Sequence, residues 1–327
     1  MKVSIIGAGS FGTTLAMLAA ENSEQVSLWA RNKELAEAIN SCRENEKYLP
    51  GAKLPKKVLC TNSLRESVGG ADIVVNAVPS QFTRKNAENY KKFISKSAIA
   101  VNVAKGIEID TGKTMSQVLR DVLGKNVPIV ALSGPNIAEE ISKRKPTATV
   151  IASDNPASLQ NVKDAFHTEY FKVLPHDDAI GIEVCGAIKN IAAIATGVCD
   201  GLGYGDNAKA SIITLGLMEM SLVGQHLGAK RGTFYGIAGV GDLVATCTSK
   251  LSRNRFVGEN LAKGKNIAQI QQEMHGMVAE GVMTTKAVYN LSKKMNISLP
   301  LTSEAYHVLY ENKNLKDAIS DLLNTFD

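Results

Sequence analysis

Apolar and polar positions divide the chain into two parts with different periods. In the first part, short β-branched runs recur at 3–6, 26–29, 73–78, 99–103, 129–132, 147–152 and 171–174, separated by longer segments of helical or loop character. Most of these runs are almost continuously apolar, as expected of strands covered on both faces. Strands alternating with helical segments predict an α/β fold, a Rossmann-type doubly wound sheet with parallel strands at its centre. After Pro175 the β-branched runs stop, and helical periodicity rich in Ala, Leu, Met and Gly takes over. The predicted organisation is a dinucleotide-binding domain over 1–178, followed by an all-α substrate and catalytic domain over 179–327.

The first run leads straight into Gly7-Ala8-Gly9-Ser10-Phe11-Gly12, a G-x-G-x-x-G pattern that opens a helix-like segment. Gly7 permits a tight turn, Gly9 lets the backbone approach a pyrophosphate, and Gly12 lets the helix pack closely on the strand. The helix N-terminus adds N–H donors and a partial positive charge. A strand before, a helix after and a second strand about twenty residues on make this a dinucleotide loop rather than a plain glycine turn. The second strand run ends at Arg31, where NAD-specific sites place an acid that holds the ribose 2′-hydroxyl. A guanidinium there pairs with a 2′-phosphate or lies against adenine, or it is a solvated surface arginine. The cofactor is therefore NADP or NAD.

Charge and composition narrow the class. Lys and Arg number 37 against 32 Asp and Glu, a net charge of +5 that suits anionic small molecules. No basic block stands out, so nucleic acid is not expected. Five cysteines (42, 60, 185, 199 and 247) without a C-x-x-C pair read as reduced thiols of a cytoplasmic protein. The histidines (167, 176, 226, 275 and 307) have no metal-ligand spacing, so no metal is expected. Met1 is followed at once by a strand and the glycine loop, which leaves no room for a secretory leader. Residues 180–199 are apolar enough to imitate a membrane span. They include Glu183, Lys189 and Asn190, so a buried helix is expected and no stable membrane insertion.

Lys189 is the unusual residue of that segment. On a helical wheel it shares a small apolar face with Ile182, Cys185, Gly186 and Ala193. It is therefore buried with a partner or facing a cavity, or it snorkels outward. Desolvation would lower its pKa and suit it to proton transfer. Downstream, three glycines crowd Asp242 in Gly236-Ile237-Ala238-Gly239-Val240-Gly241-Asp242, either as an N-cap or as the counter-ion of a buried lysine. In Ser252-Arg253-Asn254-Arg255, Ser252 reads as an N-cap, either of a plain surface helix or of a helix start that holds a phosphate with Arg253 adding charge.

Together these segments resemble the bacterial-type NAD(P)-dependent sn-glycerol-3-phosphate dehydrogenases over nearly the whole chain. The shared pieces are GAGSFGTTLA from Gly7, AKG at Ala104–Gly106, SGP at Ser133–Pro135 and GAIKNIAAIATG from Gly186. DGLGYGDNAKA from Asp200, GVGDLVATCTSKLSRNRFVG from Gly239 and AEGVMTT from Ala279 complete the match. The resemblance implies reduction of dihydroxyacetone phosphate to sn-glycerol 3-phosphate for glycerophospholipid synthesis. It implies that Lys189 transfers the proton at C2, with Asp242 as its acidic neighbour and Lys105 touching both ligands. Gly134, Asn136, Ser252, Arg253 and Asn254 would line the substrate site. Gly7, Gly9, Ser10, Phe11, Gly12, Arg31, Lys105, Ala138, Arg253, Val278 and Glu280 would serve the cofactor. A homodimer is left open. Asn136 and Ile137 stand where the family usually has Ser or Thr and then Phe. Ala104 replaces a common Thr, and Ala279 a usual Val. A related dehydrogenase for an unphosphorylated substrate would not need the Ser252–Arg255 segment. A non-catalytic dinucleotide sensor would need neither Lys189 nor Asp242.

Overall fold

The computed structural model describes residues 1–274 and 276–326. The strands are β1 (Lys2–Ile6), β2 (Gln25–Trp29), β3 (Glu44–Asn45), β4 (Leu49–Lys53), β5 (Val58–Thr61), β6 (Ile73–Asn76), β7 (Ile99–Asn102), β8 (Ile129–Ser133), β9 (Thr147–Ala152) and β10 (Phe171–His176). Between and after them run α1 (Ser10–Asn22), α2 (Lys33–Cys42), α3 (Leu64–Val68), α4 (Thr83–Tyr90), α5 (Met115–Leu123), α6 (Ala138–Ser142) and α7 (Pro156–Phe166). From α8 (Ala179–Gly201) onward the chain is helical, through α9 (Asp206–His226), α10 (Asp242–Thr248), α11 (Arg253–Ala262), α12 (Ile267–Glu273), α13 (Glu280–Met295), α14 (Pro300–Glu311) and α15 (Leu315–Leu323). Two compact units result. One comprises Met1–Ala104 and Met115–Ala179, the other Lys105–Thr114 and Ile180–Asp327.

In the first unit eight strands form one sheet in the order β10-β9-β8-β7-β6-β1-β2-β5. All pairs are parallel except β8 with β9. Consecutive strand residues face opposite ways. Ile5, Val75, Val101 and Val130 enter one apolar cluster, while Ile6, Val74, Ala100 and Ile129 enter another. The continuous apolar runs thus fill two layers at once. The sequence did not signal β5. It lies at the sheet edge with Leu59 half exposed, so it alternates and is only four residues long. The short β3–β4 hairpin was equally silent.

The chain runs outward from β1 through β2 to β5, then returns to place β6 on the other side of β1. That reversal is a topological switch point at the carboxyl ends of β1 and β6, the position at which doubly wound sheets bind ligands. The glycine loop follows β1 directly.

The second unit is built around α8, which is buried along nearly its whole length. Among the described residues α8 alone is long and apolar enough to cross a membrane, and 94% of its most apolar stretch is buried inside the protein. Its small residues allow backbone-to-backbone packing. A Cβ at Gly197 would lie 2.1 Å from the Arg255 carbonyl oxygen of α11, and one at Gly258 would lie 1.9 Å from that of Ile194.

Deep in this unit Glu219 of α9 accepts from the backbone N–H of Leu301 (2.6 Å) and from the hydroxyl of Thr302 (2.6 Å), thereby capping α14. Burial pushes its carboxyl from 4.5 up to about 7, although these hydrogen bonds act the other way. Between those values the folded protein holds a proton that the unfolded chain has released. The contribution to stability is therefore complete below about pH 4.5 and is lost as pH rises through about 7. Glu219→Gln should remove this loss, so its Tm relative to wild type should rise between pH 5 and pH 8. Parallel Tm curves for the two proteins would refute the assignment.

Candidate active site

In the first unit the glycine loop has the shape of a phosphate cradle. Gly7 sits at φ +120°, and a Cβ there would meet the Ala77 carbonyl oxygen at 2.6 Å. A Cβ at Gly12 would lie 2.0 Å from the Gly7 carbonyl oxygen, so the protein itself excludes side chains at both positions. At Gly9 nothing lies within 4 Å, and the absent side chain leaves open space for a ligand. No side chain caps the N-terminus of α1, and its first turn, which begins at Ser10 and Phe11, carries no acid. Those N–H groups suit a pyrophosphate.

Asn45, fully buried on β3, donates to the Ala8 carbonyl (2.9 Å) and to the Thr13 hydroxyl (2.8 Å), which fixes the loop. Thr14 donates to the carbonyl of Ala138 at the start of α6 (3.3 Å). Arg31 is exposed just beyond β2, next to Asn32, whose side chain caps α2. Gly134 lies at φ +148°, packed against Thr149. Asn136 donates through Nδ2 to the Thr149 hydroxyl (3.0 Å), which in turn donates to the Ser133 carbonyl (3.0 Å). The asparagine oxygen is buried without a protein partner, so it is available as an acceptor.

In the second unit three charged side chains converge. Lys189 is 5% exposed and Asp242 is 1% exposed. Asp242 is the first residue of α10, after the irregular glycine-rich turn Ile237–Gly241, and Gly241 occupies the cap position. Its carboxylate is therefore free to serve as a counter-ion. Oδ1 accepts from the Lys189 ammonium, and Oδ2 accepts from Lys105 Nζ at 2.8 Å. Lys189 also donates to the Thr246 hydroxyl (2.7 Å), one turn along α10 from Asp242. Burial holds the Lys189 ammonium well below the ordinary lysine range. Asp242 opposes that shift and Lys105 reinforces it. With Lys189 protonated, two cations and one anion leave a net positive site able to stabilise a developing oxyanion.

The neighbouring elements are tied to this cluster. Ser252 caps α11 by accepting from the Arg255 N–H (3.3 Å). Arg255 itself turns back to Asp200 of α8 (2.6 Å). Arg253 is solvent-accessible on the first turn of α11, and the charge of Glu280 acts on it. Asn254 donates to the Asn190 side chain (2.8 Å) and accepts from the Gly281 N–H (2.9 Å). Glu280 opens α13, and Val278 just before it is 37% exposed.

The residues assigned to ligands by resemblance thus fall into two sets. Gly7, Gly9, Ser10, Phe11, Gly12, Arg31, Gly134, Asn136 and Ala138 belong to the first unit. Lys105, Lys189, Asp242, Ser252, Arg253, Asn254, Val278 and Glu280 belong to the second. Asn45, Thr149 and Thr246 escaped the sequence-based reading. Only Thr246 left a signal, its four-residue spacing from Asp242. Among the described residues no three His, Cys, Asp or Glu side chains converge as a metal cluster would. His275 lies outside the described residues.

Relatives share this architecture. Residues 2–159 match the N-terminal family model of NAD-dependent glycerol-3-phosphate dehydrogenase, and residues 178–320 match the C-terminal one. A glycerol-3-phosphate dehydrogenase [NAD(P)+] from Chlorobium phaeobacteroides (strain BS1) is 46% identical over 99% of this chain and 97% of its own length. One from Citrifermentans bemidjiense is 44% identical over 98% of this chain and 96% of its own. The crystal structure of glycerol-3-phosphate dehydrogenase from Coxiella burnetii superposes with a TM-score of 0.95 at 35% identity, covering 98% of each chain. With both family models matched along the chain and relatives up to 46% identical over nearly its full length, the chain belongs to the NAD(P)-dependent glycerol-3-phosphate dehydrogenases.

Proposed function

We propose that this protein reduces dihydroxyacetone phosphate to sn-glycerol 3-phosphate in the cytoplasm, as a supply for glycerophospholipid synthesis. The observation that carries the reading is the buried Lys189, paired with Asp242 and pressed by the second cation of Lys105. A bound nicotinamide dinucleotide supplies the hydride. As negative charge grows on the substrate's C2 oxygen, Lys189 stabilises it and donates a proton from Nζ. Asp242 holds both ammonium groups in place, and Lys105 helps to neutralise the anionic substrate. Arg253 and the capped start of α11 provide the charge and N–H donors that a phosphate needs. Glycine loop backbone groups hold the pyrophosphate, with Asn45 keeping their geometry.

The test is loss of absorbance at the nicotinamide band when dihydroxyacetone phosphate is added to enzyme and NADPH or NADH. Turnover is expected with both cofactors, and no turnover with either would end the proposal. Arg31 is exposed where it can meet a ribose 2′-phosphate. Arg31→Asp should lower kcat/KM with NADPH by about tenfold relative to NADH, the scale of one charge-assisted hydrogen bond. An unchanged ratio would show that Arg31 does not read the ribose.

A further inference from the structure

We infer that Glu280 is a positioning residue for Lys105: its carboxylate holds the Lys105 main chain so that the ammonium group meets Asp242. The inference rests on the proposed roles of Lys189 and Asp242 and assigns Glu280 a task besides any contact with the cofactor. Glu280 Oε2 accepts the backbone N–H of Lys105 at 3.0 Å, while Lys105 Nζ reaches Asp242 at 2.8 Å. Both ends of the lysine are thereby fixed. Such anchoring matters at this position. Lys105 opens a ten-residue segment that belongs to the helical unit, whereas Ala104 belongs to the sheet unit. Gly106 follows immediately and adds no stiffness of its own. The rest of the segment is held by the fully buried Ile107, the Ile107–Thr114 bridge and the Gly112-to-Glu108 backbone bond. At its start the side chain of Glu280 takes that part.

Glu280 is in turn located by the residues around Lys189. The adjacent Gly281 donates to Asn254, and Asn254 donates to Asn190, the neighbour of Lys189 in the chain. A Cβ at Gly281 would lie 2.7 Å from Asn254 Oδ1 and 2.8 Å from the Asn190 carbonyl oxygen, so α13 seats directly on α8. The links close into a ring. Lys189 pairs with Asp242, Asp242 with Lys105, Lys105 with Glu280, and Glu280 returns through Gly281, Asn254 and Asn190 to Lys189. One change of position anywhere in the ring is felt at both lysines.

The test compares Glu280→Ala with Glu280→Gln, since glutamine keeps an oxygen for the Lys105 N–H but loses the charge. The readouts are NADPH affinity by fluorescence titration, steady-state kinetics on dihydroxyacetone phosphate and the pH profile of kcat. Loss of a fixed Lys105 should lower kcat in Glu280→Ala by about tenfold, the scale of one buried hydrogen bond. The fall in kcat is read at saturating NADPH, so that any loss of cofactor affinity in Glu280→Ala is measured separately and does not account for it. The charged and titratable groups acting on Lys189 are Asp242 and Lys105, with the Cys247 thiol nearby. Burial is the main cause of the lowered Lys189 pKa and Lys105 adds to it, so moving that cation away should shift the alkaline limb of the profile upward. Glu280→Gln should restore kcat and the limb. Should Glu280→Ala fail to fold, Glu280→Met fills similar space without an acceptor and takes its place. A variant with weakened NADPH binding, normal kcat and an unmoved limb would overturn the inference in favour of a cofactor role. Failure of glutamine to rescue would overturn it in favour of a charge effect on Arg253. Wild-type inactivity on dihydroxyacetone phosphate would instead defeat the function proposed above.

Discussion

Lys189→Met should lower kcat by at least about a hundredfold while NADPH binding stays at the wild-type level, the loss expected when one positioned acid–base group is removed. The side chain is 6% exposed, so methionine can occupy its space as an apolar filler of similar length. Asp242 remains paired with Lys105 and bonded to Thr246, so no buried charge is left alone. The glycine loop belongs to the other compact unit, and its geometry does not involve Lys189. Two measurements are sufficient: cofactor titration by fluorescence, and turnover on dihydroxyacetone phosphate. Near-normal turnover with normal binding would remove Lys189 from the chemistry. Loss of both would make it a structural lysine.

Removal of the aspartate should be costlier to the fold. Asp242→Ala removes the carboxylate shared by two lysines whose side chains are 6% and 16% exposed. Breaking a buried pair by deleting one partner typically destabilises by about 3–5 kcal/mol, because the survivor stays desolvated and unpaired. The expected result is a fall of that size in urea unfolding, with an unchanged m-value. Activity should also fall, since both ammonium groups lose the carboxylate they share. Asp242→Asn, which retains oxygen acceptors of similar shape, should recover part of the stability and little of the activity. Wild-type stability in Asp242→Ala would mean that water or another group already shields the lysines.

What the sequence disclosed follows from the physics of each feature. The central strands were legible because strands covered on both faces must be apolar at every position. Val58–Thr61 was not, since an edge strand of four residues alternates too briefly to stand out. Lys189 was conspicuous as a charge on a small apolar helix face, and its burial beside an acid accords with that oddity. Asn45, Thr149 and Glu219 were invisible because their work depends on partners 32, 16 and 83 positions away in the chain. Neutral and acidic side chains of this kind are common on surfaces, and no local pattern separates a buried one from an exposed one. The placement of 105–114 was hidden for a related reason. One fully buried isoleucine and one bridge are too little to produce a periodicity.

That short excursion limits how the polypeptide can be divided. The helical unit is not a contiguous stretch of chain, for it takes in ten residues from the middle of the sheet unit's sequence. A fragment beginning after residue 178 would retain Lys189, Asp242 and Glu280 and would lack Lys105. Glu280 would then have no Lys105 N–H to accept, Asp242 would keep one cation instead of two, and the space filled by Ile107 would be empty. Gene-splitting schemes, domain swaps with relatives and circular permutants all meet the same constraint. A cut that respects the visible change from strands to helices still separates the two lysines, and a working helical half must be supplied with the 105–114 peptide as well.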